Sequence, residues 1–308
     1  MKSSYIAVGY ACNHNCIICP CSTYDRLHKQ QDLQTIKKAV LESNLSSGDH
    51  VVISGGEPTI HDDFYKILEF LSQQGIAITL LSNSEKFTDM ELAKKLTDIV
   101  DTNSFDVVSA IHSCDPSVHD KITGVVGSFQ KTQDGICNLL YCNINITIKQ
   151  IINKLTYVGL PEWANFVIKN YSPRVEVQFT SMDYCGRAKK NLDELFITFD
   201  EIQPYLETAL DTFEQEIDKR RIRIIEAPLC MLDPYYWKYY VDSGSVLNMY
   251  SAPNVENESG YTYDLANECG TYYNECGYCL VRKMCPGIWK SAYEIGGESL
   301  LRQINKQQ

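Results

Sequence analysis

The chain lacks what would carry it into a membrane, out of the cell or onto a nucleic acid. Its first ten residues, MKSSYIAVGY, contain no apolar core of the roughly 7–15 residues that a secretory signal requires. Nowhere does it offer a run of about 18 apolar residues, so no segment is fit to span a bilayer. Repeats and low-complexity tracts are absent. Cations are scarce: 28 lysines and arginines stand against 39 aspartates and glutamates, a net charge of −11. Such a chain gains little from counterion release at phosphates, which disfavours a nucleic-acid substrate. These absences predict a soluble, cytoplasmic protein. The 44% of its 308 residues that are apolar can bury a sizeable core, enough for one large domain and a smaller appendage.

Cysteine is in excess, with thirteen in the chain. Disulfide scaffolds are short and secreted, and neither description applies. Most of the cysteines fall in two groups, at 12, 16, 19 and 21 and at 269, 276, 279 and 285. Metal or cluster ligation is therefore the leading reading. Cys114, Cys137 and Cys142 read as small buried hydrophobes.

The first two-thirds alternates strand and helix. Strands are predicted over Tyr5–Tyr10, His50–Ser54, Ala77–Ser82, Phe105–Ile111, Ile144–Ile151 and Val175–Phe179. Helices are predicted over Asp32–Asn44, Asp62–Gln74, Asp89–Ile99, Ser128–Leu140 and Pro161–Lys169. Strands that read as apolar on both faces predict a parallel sheet covered by helices. Six such units are too few for a closed eight-stranded barrel and suit an α/β fold with a partial, TIM-like (β/α)6 barrel. Its chemistry would sit at the carboxyl ends of the strands. Past Lys190 the character changes: a long helix over Phe199–Asp218, a strand over Arg221–Glu226, an irregular stretch over Asp233–Tyr273 and a helix near Gly287–Tyr293. The boundary is placed near 195, leaving 1–195 as barrel and 196–308 as a small, largely irregular C-terminal domain.

Cys12-Asn-His-Asn-Cys16-Ile-Ile-Cys19 follows the first strand directly. Thiolates are the usual iron–sulfur ligands, and these spacings let one loop wrap three corners of a cluster. Three ligands leave one metal position open to a substrate or cosubstrate; a zinc loop is the plainer reading. Cys21 could add a fourth ligand but reads as a bystander. Ser54-Gly55-Gly56-Glu57-Pro58-Thr59 ends the second strand. Its paired glycines permit close backbone approach to a ligand, and Glu57 offers a carboxylate to a positive group. Taken alone, it would read as an ordinary turn.

Together these motifs resemble the radical S-adenosylmethionine (SAM) superfamily, whose pattern is CxxxCxxC followed by GGEP. The resemblance implies that Cys12, Cys16 and Cys19 hold a [4Fe–4S] cluster whose open iron is chelated by SAM. It further implies that Gly55, Gly56, Glu57 and Pro58 form the cofactor-binding turn that meets the SAM amino group. The stretch Asp115 to Phe129, with His119, Asp120, Gly124, Gly127 and Ser128, resembles peptide- and protein-modifying members, with Thr123 where arginine is frequent. His119 and Asp120 equally suit a helix-entry cap. A serine at the end of the fourth strand, Ser109 or else Ser113, would touch SAM. Gly186-Arg187-Ala188 resembles a turn of the same relatives, in which Arg187 would pair with a carboxylate of SAM or of a neighbour; a surface arginine is the alternative.

The C-terminal pattern Cys269-x6-Cys276-x2-Cys279-x5-Cys285-Pro-Gly resembles the SPASM and twitch extensions, and Pro228-Leu229-Cys230 resembles their first ligand. On that likeness Cys230, Cys276, Cys279 and Cys285 would bind one auxiliary [4Fe–4S] cluster. Cys269 is left as a spare, an alternative ligand or a catalytic thiol. A structural zinc site competes for the same thiolates.

The resemblance also implies the reaction: a reduced cluster splits SAM to methionine and a 5′-deoxyadenosyl radical, which abstracts a hydrogen atom. The substrate expected by analogy is a ribosomally made peptide or protein, altered by thioether formation, crosslinking or epimerisation. A small molecule such as a sugar, cofactor precursor or nucleoside is the rival, and a non-catalytic metal scaffold the remote one. Cys185 and Cys269 are the candidate hydrogen-atom donors. With so little chain before the first strand, a leader peptide is expected to be read by the barrel, the tail or a separate leader-binding protein. The electron donor would be a flavodoxin or ferredoxin.

Overall fold

The computed structural model describes residues 2–21, 30–171, 173–241, 270–301 and 304. Seven strands form one parallel sheet in sequential order: β1 Ser3–Ala7, β2 His50–Ser54, β3 Ala77–Leu81, β4 Phe105–Ala110, β5 Asn145–Ile151, β6 Glu176–Thr180 and β7 Ile222–Ile225. The helices longer than one turn are α1 Leu33–Glu42, α2 Phe64–Gln73, α3 Met90–Thr97, α4 Pro116–Thr123, α5 Ser128–Tyr141, α6 Leu160–Tyr171, α7 Phe199–Glu214 and, C-terminally, α8 Lys290–Gly296. The architecture is the expected partial barrel. No helix among the described residues is long and apolar enough to cross a membrane.

Helix entries follow from short polar side chains that satisfy the first free amides. Asp32 accepts from the amides of Gln34 and Thr35 ahead of α1, and Asp89 from Glu91 ahead of α3. Thr198 and Glu201 form a capping box at α7. Asp115, with Pro116 behind it, opens α4, and Gly124 closes it in the left-handed region.

Four features differ from expectation. β1 stops at Ala7, because at Gly9 the backbone takes a φ of 139° and leaves the ladder. The sheet runs past residue 195: β7 pairs in parallel with β6 from Val177↔Ile222 to Thr180↔Ile225, so α7 and β7 add a seventh unit to the six. The C-terminal helix starts three residues later than expected, at Lys290. Of the three cysteines read as buried, Cys137 is exposed on α5 and Cys114 and Cys142 are partly so.

The strands are also more apolar on one face than on the other. Ile53, Leu80, Val107, Ile148 and Phe179 are buried toward the helices; Phe179 packs edge-on against Trp163 of α6, ring centroids 5.5 Å apart. Alternation then turns their neighbours inward: Tyr5, His50, Thr79, Asp106, Lys149, Glu176, Gln178 and Arg223. Inner-face groups bond across strands, with His50 Nε2 2.8 Å from Thr79 Oγ1, Thr79 Oγ1 donating to Asp106 at 3.0 Å and Arg223 paired with Glu176 at 2.8 Å. An open barrel has no helix layer on its inside, so this wall can stay polar. Burial of Asp106 in it pushes that carboxyl up to about 6.

Candidate functional site

The loop carrying Cys12, Cys16 and Cys19 leaves β1 at the carboxyl edge and is gripped by four other strand ends. From β2, the amides of Gly56 and Glu57 donate to Gly9 O and Ala11 O, both at 2.8 Å. The backbones press so closely that a Cβ on Gly56 would lie 2.1 Å from Ala11 O. From β3, Asn83 Nδ2 donates to Asn13 Oδ1 at 2.8 Å, and Asn13 Nδ2 to Glu85 at 2.8 Å. His14 Nε2 stands 2.9 Å from Glu85 Oε1. Beyond β4, the end of α4 accepts the amides of Asn15 (Thr123 O, 2.8 Å) and Ile17 (Ile122 O, 2.9 Å). Beyond β6, the Arg187 amide donates to Cys19 O at 3.0 Å, and a Cβ on Gly186 would sit 1.9 Å from Pro20 O. The loop is thus fixed largely through backbone contacts.

All three cysteines are partly exposed, and the His14 amide donates to Cys12 Sγ at 3.4 Å. Amide-to-sulfur bonds of this kind stabilise thiolates and tune clusters, so the donor set fits an iron–sulfur group. Cys21 and Cys185 flank the same turn, Cys185 lying immediately before Gly186.

Glu57 is buried and tied to the protein. Its Oε1 accepts from Thr59 N, Thr59 Oγ1 and Ser82 Oγ, and its Oε2 from Asn83 N at 2.7 Å. Oε2 keeps room for one more donor. Glu57 therefore locks β2 to β3, and Pro58 starts the short 3-10 turn Pro58–Ile60 behind it. Ser109 is fully buried, accepting from Ser84 Oγ at 3.0 Å, and shares the helix-facing parity of Val107. Ser113, three residues past β4, is partly exposed. Arg187 donates through Nη1 to Asn15 Oδ1, an amide oxygen of the cluster loop, at an exposed position. Asp120 is a cap, though for the following helix: it accepts from Gly127 N, Ser128 Oγ and Phe129 N, bonds that hold its carboxyl below the usual range despite burial.

Sequence reasoning named His119 but missed that it pairs with His112 in a buried histidine group behind the loop. His112 and His119 have ring centroids 5.3 Å apart, and the His112 amide donates to His119 Nδ1 at 3.2 Å. Burial keeps both imidazoles neutral, with His119 lowered to about 4. The signal available was position alone, since His112 follows the end of β4 and His119 lies on α4 just beyond it.

The second cysteine group meets across a small cleft lined by Cys230, Cys276, Cys279 and Cys285. Cys285 Sγ accepts amides from Leu229 at 3.3 Å and Gly287 at 3.4 Å, which joins the segment after β7 to the C-terminal one. Burial raises the Cys285 thiol. Thr271 and Ile288 exchange both backbone bonds at 3.1 Å, and Tyr273 stacks on Tyr293. Cys269 lies outside the described residues. Among the described residues, no three His, Cys, Asp or Glu side chains converge on one point closely enough to grip a single metal ion.

Similar proteins place this geometry. The chain is 26% identical over 185 residues to the Fe-coproporphyrin III synthase of Methanosarcina barkeri, covering 59% of this chain and 44% of that one. It is 25% identical over 189 residues to the mycofactocin maturase MftC of Mycolicibacterium smegmatis, covering 61% and 46%. The matches thus span under half the length of these curated relatives. In fold the whole chain resembles anSMEcpe with bound AdoMet, at a TM-score of 0.63 and 15% identity over 97% of this chain and 92% of that one. The same protein with AdoMet and the Cp18Cys peptide gives 0.58 at 15% identity, over 98% and 93%. The model of the radical SAM superfamily matches residues 6–165, from β1 into α6; with more than half of its length so matched, the chain belongs to that superfamily.

Proposed function

We propose that this chain is a radical SAM enzyme that modifies a ribosomally made peptide or protein, with a SAM-binding [4Fe–4S] cluster on Cys12, Cys16 and Cys19 and an auxiliary [4Fe–4S] cluster on Cys230, Cys276, Cys279 and Cys285. When bound, the cluster and SAM supply one-electron cleavage of a carbon–sulfur bond and removal of a hydrogen atom from an unactivated C–H bond. The chain's own residues hold the ligating loop rigid, keep a neutral imidazole pair behind it and present a polar inner wall to the substrate. Gly55, Gly56 and Glu57 line the approach for an ammonium group, with Glu57 Oε2 as acceptor.

The observation that carries the reading is the cleft that gathers four cysteines, separate from the loop that holds the first three. Thiolates ringing a cleft suit a cluster better than zinc, whose ligands sit about 2.3 Å from one centre. The peptide assignment draws on MftC and on the whole-length likeness to a fold solved with a peptide bound. A small-molecule substrate is the second reading, favoured by the Fe-coproporphyrin III synthase match. The C-terminal part would form a SPASM- or twitch-like domain, a flavodoxin or ferredoxin would deliver electrons in the cytoplasm, and a separate protein would present the leader.

The test is anaerobic reconstitution with SAM and a reductant. Deoxyadenosine should form in wild type and not in the variant with Cys12, Cys16 and Cys19 all changed to alanine, and that variant should retain one cluster. Zinc at the second site, or no residual iron, would overturn the auxiliary cluster. A mass change in a co-expressed precursor peptide would support the peptide reading. Deoxyadenosine formation stimulated only by small molecules would favour the rival.

A further inference from the structure

One stretch of the ligating loop lies beyond the reach of the backbone grip. Gly9, Ala11, Asn15, Ile17 and Cys19 each take part in a backbone bond to residues after β2, β4 or β6. Asn13 and His14, between the first two cysteines, make no backbone–backbone bond among the described residues. Their side chains are held instead, and both meet Glu85. Asn13 Nδ2 donates to Glu85 Oε2 at 2.8 Å, and His14 Nε2 stands 2.9 Å from Glu85 Oε1. Those two facing atoms are buried, and neither has a hydrogen-bond partner elsewhere among the described residues.

Glu85 is itself fixed from behind. Its amide donates to Asn83 Oδ1 at 3.1 Å, and Asn83 Nδ2 closes the ring by donating to Asn13 Oδ1 at 2.8 Å. Ser84, just before it, takes a φ of 63°. Helix α5 presses on that residue so closely that a Cβ on Gly135 would lie 2.0 Å from Ser84 O. From the same helix Thr132 donates to Asn83 O, Asn138 to Phe87 O and Thr88 O, and Lys131 Nζ stands 3.9 Å from Glu85 Oε2. The Glu85 side chain is only 10% exposed and that of His14 4%. A carboxylate so far withdrawn from water is costly unless its partners are held in place.

What Glu85 holds lies against a ligating sulfur. The His14 amide donates to Cys12 Sγ at 3.4 Å, so the ties on Asn13 and His14 also aim that amide. Hydrogen bonds to cluster sulfurs favour the reduced cluster and raise its potential. We infer that Glu85 is a positioning residue for the first cluster, acting through Asn13 and His14 to keep the amide on Cys12 Sγ. This inference rests on the assignment of a cluster to Cys12, Cys16 and Cys19.

Two variants separate position from charge. Glu85→Asp keeps the charge but, one methylene shorter, cannot reach both side chains. Glu85→Gln loses the charge but keeps the reach, with an acceptor for Asn13 and an amide against His14. In metal-free protein the His14 amide should exchange at least about fivefold faster in Glu85→Asp, the loss of one hydrogen-bonded tie. In Glu85→Gln it should exchange as in wild type, and amides of β5 should be unchanged in both. In anaerobically reconstituted protein, a redox titration read by EPR follows the cluster whose signal responds to SAM. Its potential should fall below wild type in Glu85→Asp and rise in Glu85→Gln, where a nearby negative charge is gone. Wild-type exchange or wild-type potential in Glu85→Asp overturns the inference. So does equal acceleration of the β5 amides, or a Glu85→Gln protein as fast and as negative as Glu85→Asp. If Glu85→Asp loses the fold, His14→Leu removes one tie from the loop side and should lower the potential likewise; an unchanged potential there also overturns it. Wild type without iron on Cys12, Cys16 and Cys19 would instead refute the cluster assignment, while exchange in metal-free protein would still decide whether Glu85 orders the loop.

Discussion

The two cysteine regions are held by different means. The N-terminal loop is fixed by the carboxyl edge of the sheet: amides of Gly56, Glu57, Asn15, Ile17 and Arg187 all take part in backbone bonds that need no metal. The C-terminal group hangs on one backbone bridge at Thr271 and Ile288, the stacked Tyr273 and Tyr293, and amides aimed at the Cys285 sulfur itself. One site is built by the barrel, with the metal added. The other uses the Cys285 thiol as part of its own framework, so with the proposed auxiliary cluster its order would depend on what the thiols bind.

The sharpest way to break the first arrangement is Gly56→Ala. Its Cβ would meet backbone oxygens of Ala11 and Tyr10 at 2.1 and 2.4 Å, which cannot swing aside as a side chain can. The variant should lose about 2–4 kcal/mol of stability and the N-terminal cluster, while keeping the C-terminal one. Iron counting with thermal unfolding reads both. Equal stability with both clusters present would show that the grip is dispensable.

Chelation sharpens the comparison. In metal-free protein, amides of residues 270–288 should exchange at least about tenfold faster than in holoprotein, and those of Asn15, Ile17 and Cys19 should change far less. Hydrogen exchange by mass spectrometry decides it; equal acceleration at both sites would erase the distinction.

The same contrast explains what was legible in the sequence. Strand and helix periods and the helix starts at Asp32 and Asp89 are local features, and the structure follows them closely. What the sequence hid depends on distant pairing. The strand at Ile222–Ile225 was visible, but nothing local says that it docks beside Val177. Inner-face polarity was hidden because Asp106, Lys149 and Glu176 read as interruptions of apolar strands until the sheet curves and gives them a lumen. The contact between Arg187 and Asn15 was hidden for a similar reason: the two lie 172 positions apart in sequence.

The polar wall should report itself through pH. Asp106 has its carboxyl raised from 3.8 to about 6 by burial. A raised folded value means that the protonated form is favoured on folding, so its contribution is complete below about 4 and is lost as pH rises through about 6. Asp106→Asn keeps an acceptor for Thr79 and removes the buried charge. It should therefore stabilise the protein by about 1–3 kcal/mol at pH 8, with the gain vanishing near pH 4. A pH-independent difference in unfolding midpoint would assign the effect to packing.

The smallest expected effect tests whether the grip is mainly backbone. Asn15→Ala removes the acceptor for Arg187 Nη1 but leaves the Asn15 amide on Thr123 O and the Arg187 amide on Cys19 O. The lost bond is solvent-exposed, so it should cost only about 0.5–1 kcal/mol. Arg187→Ala should cost about the same, and the double variant no more than either single change, because all three remove one interaction. Cluster content should stay at the wild-type level in each. If Asn15→Ala alone sheds the N-terminal cluster, the side-chain tie holds the ligating loop, and the backbone bonds from beyond β2, β4 and β6 are insufficient without it.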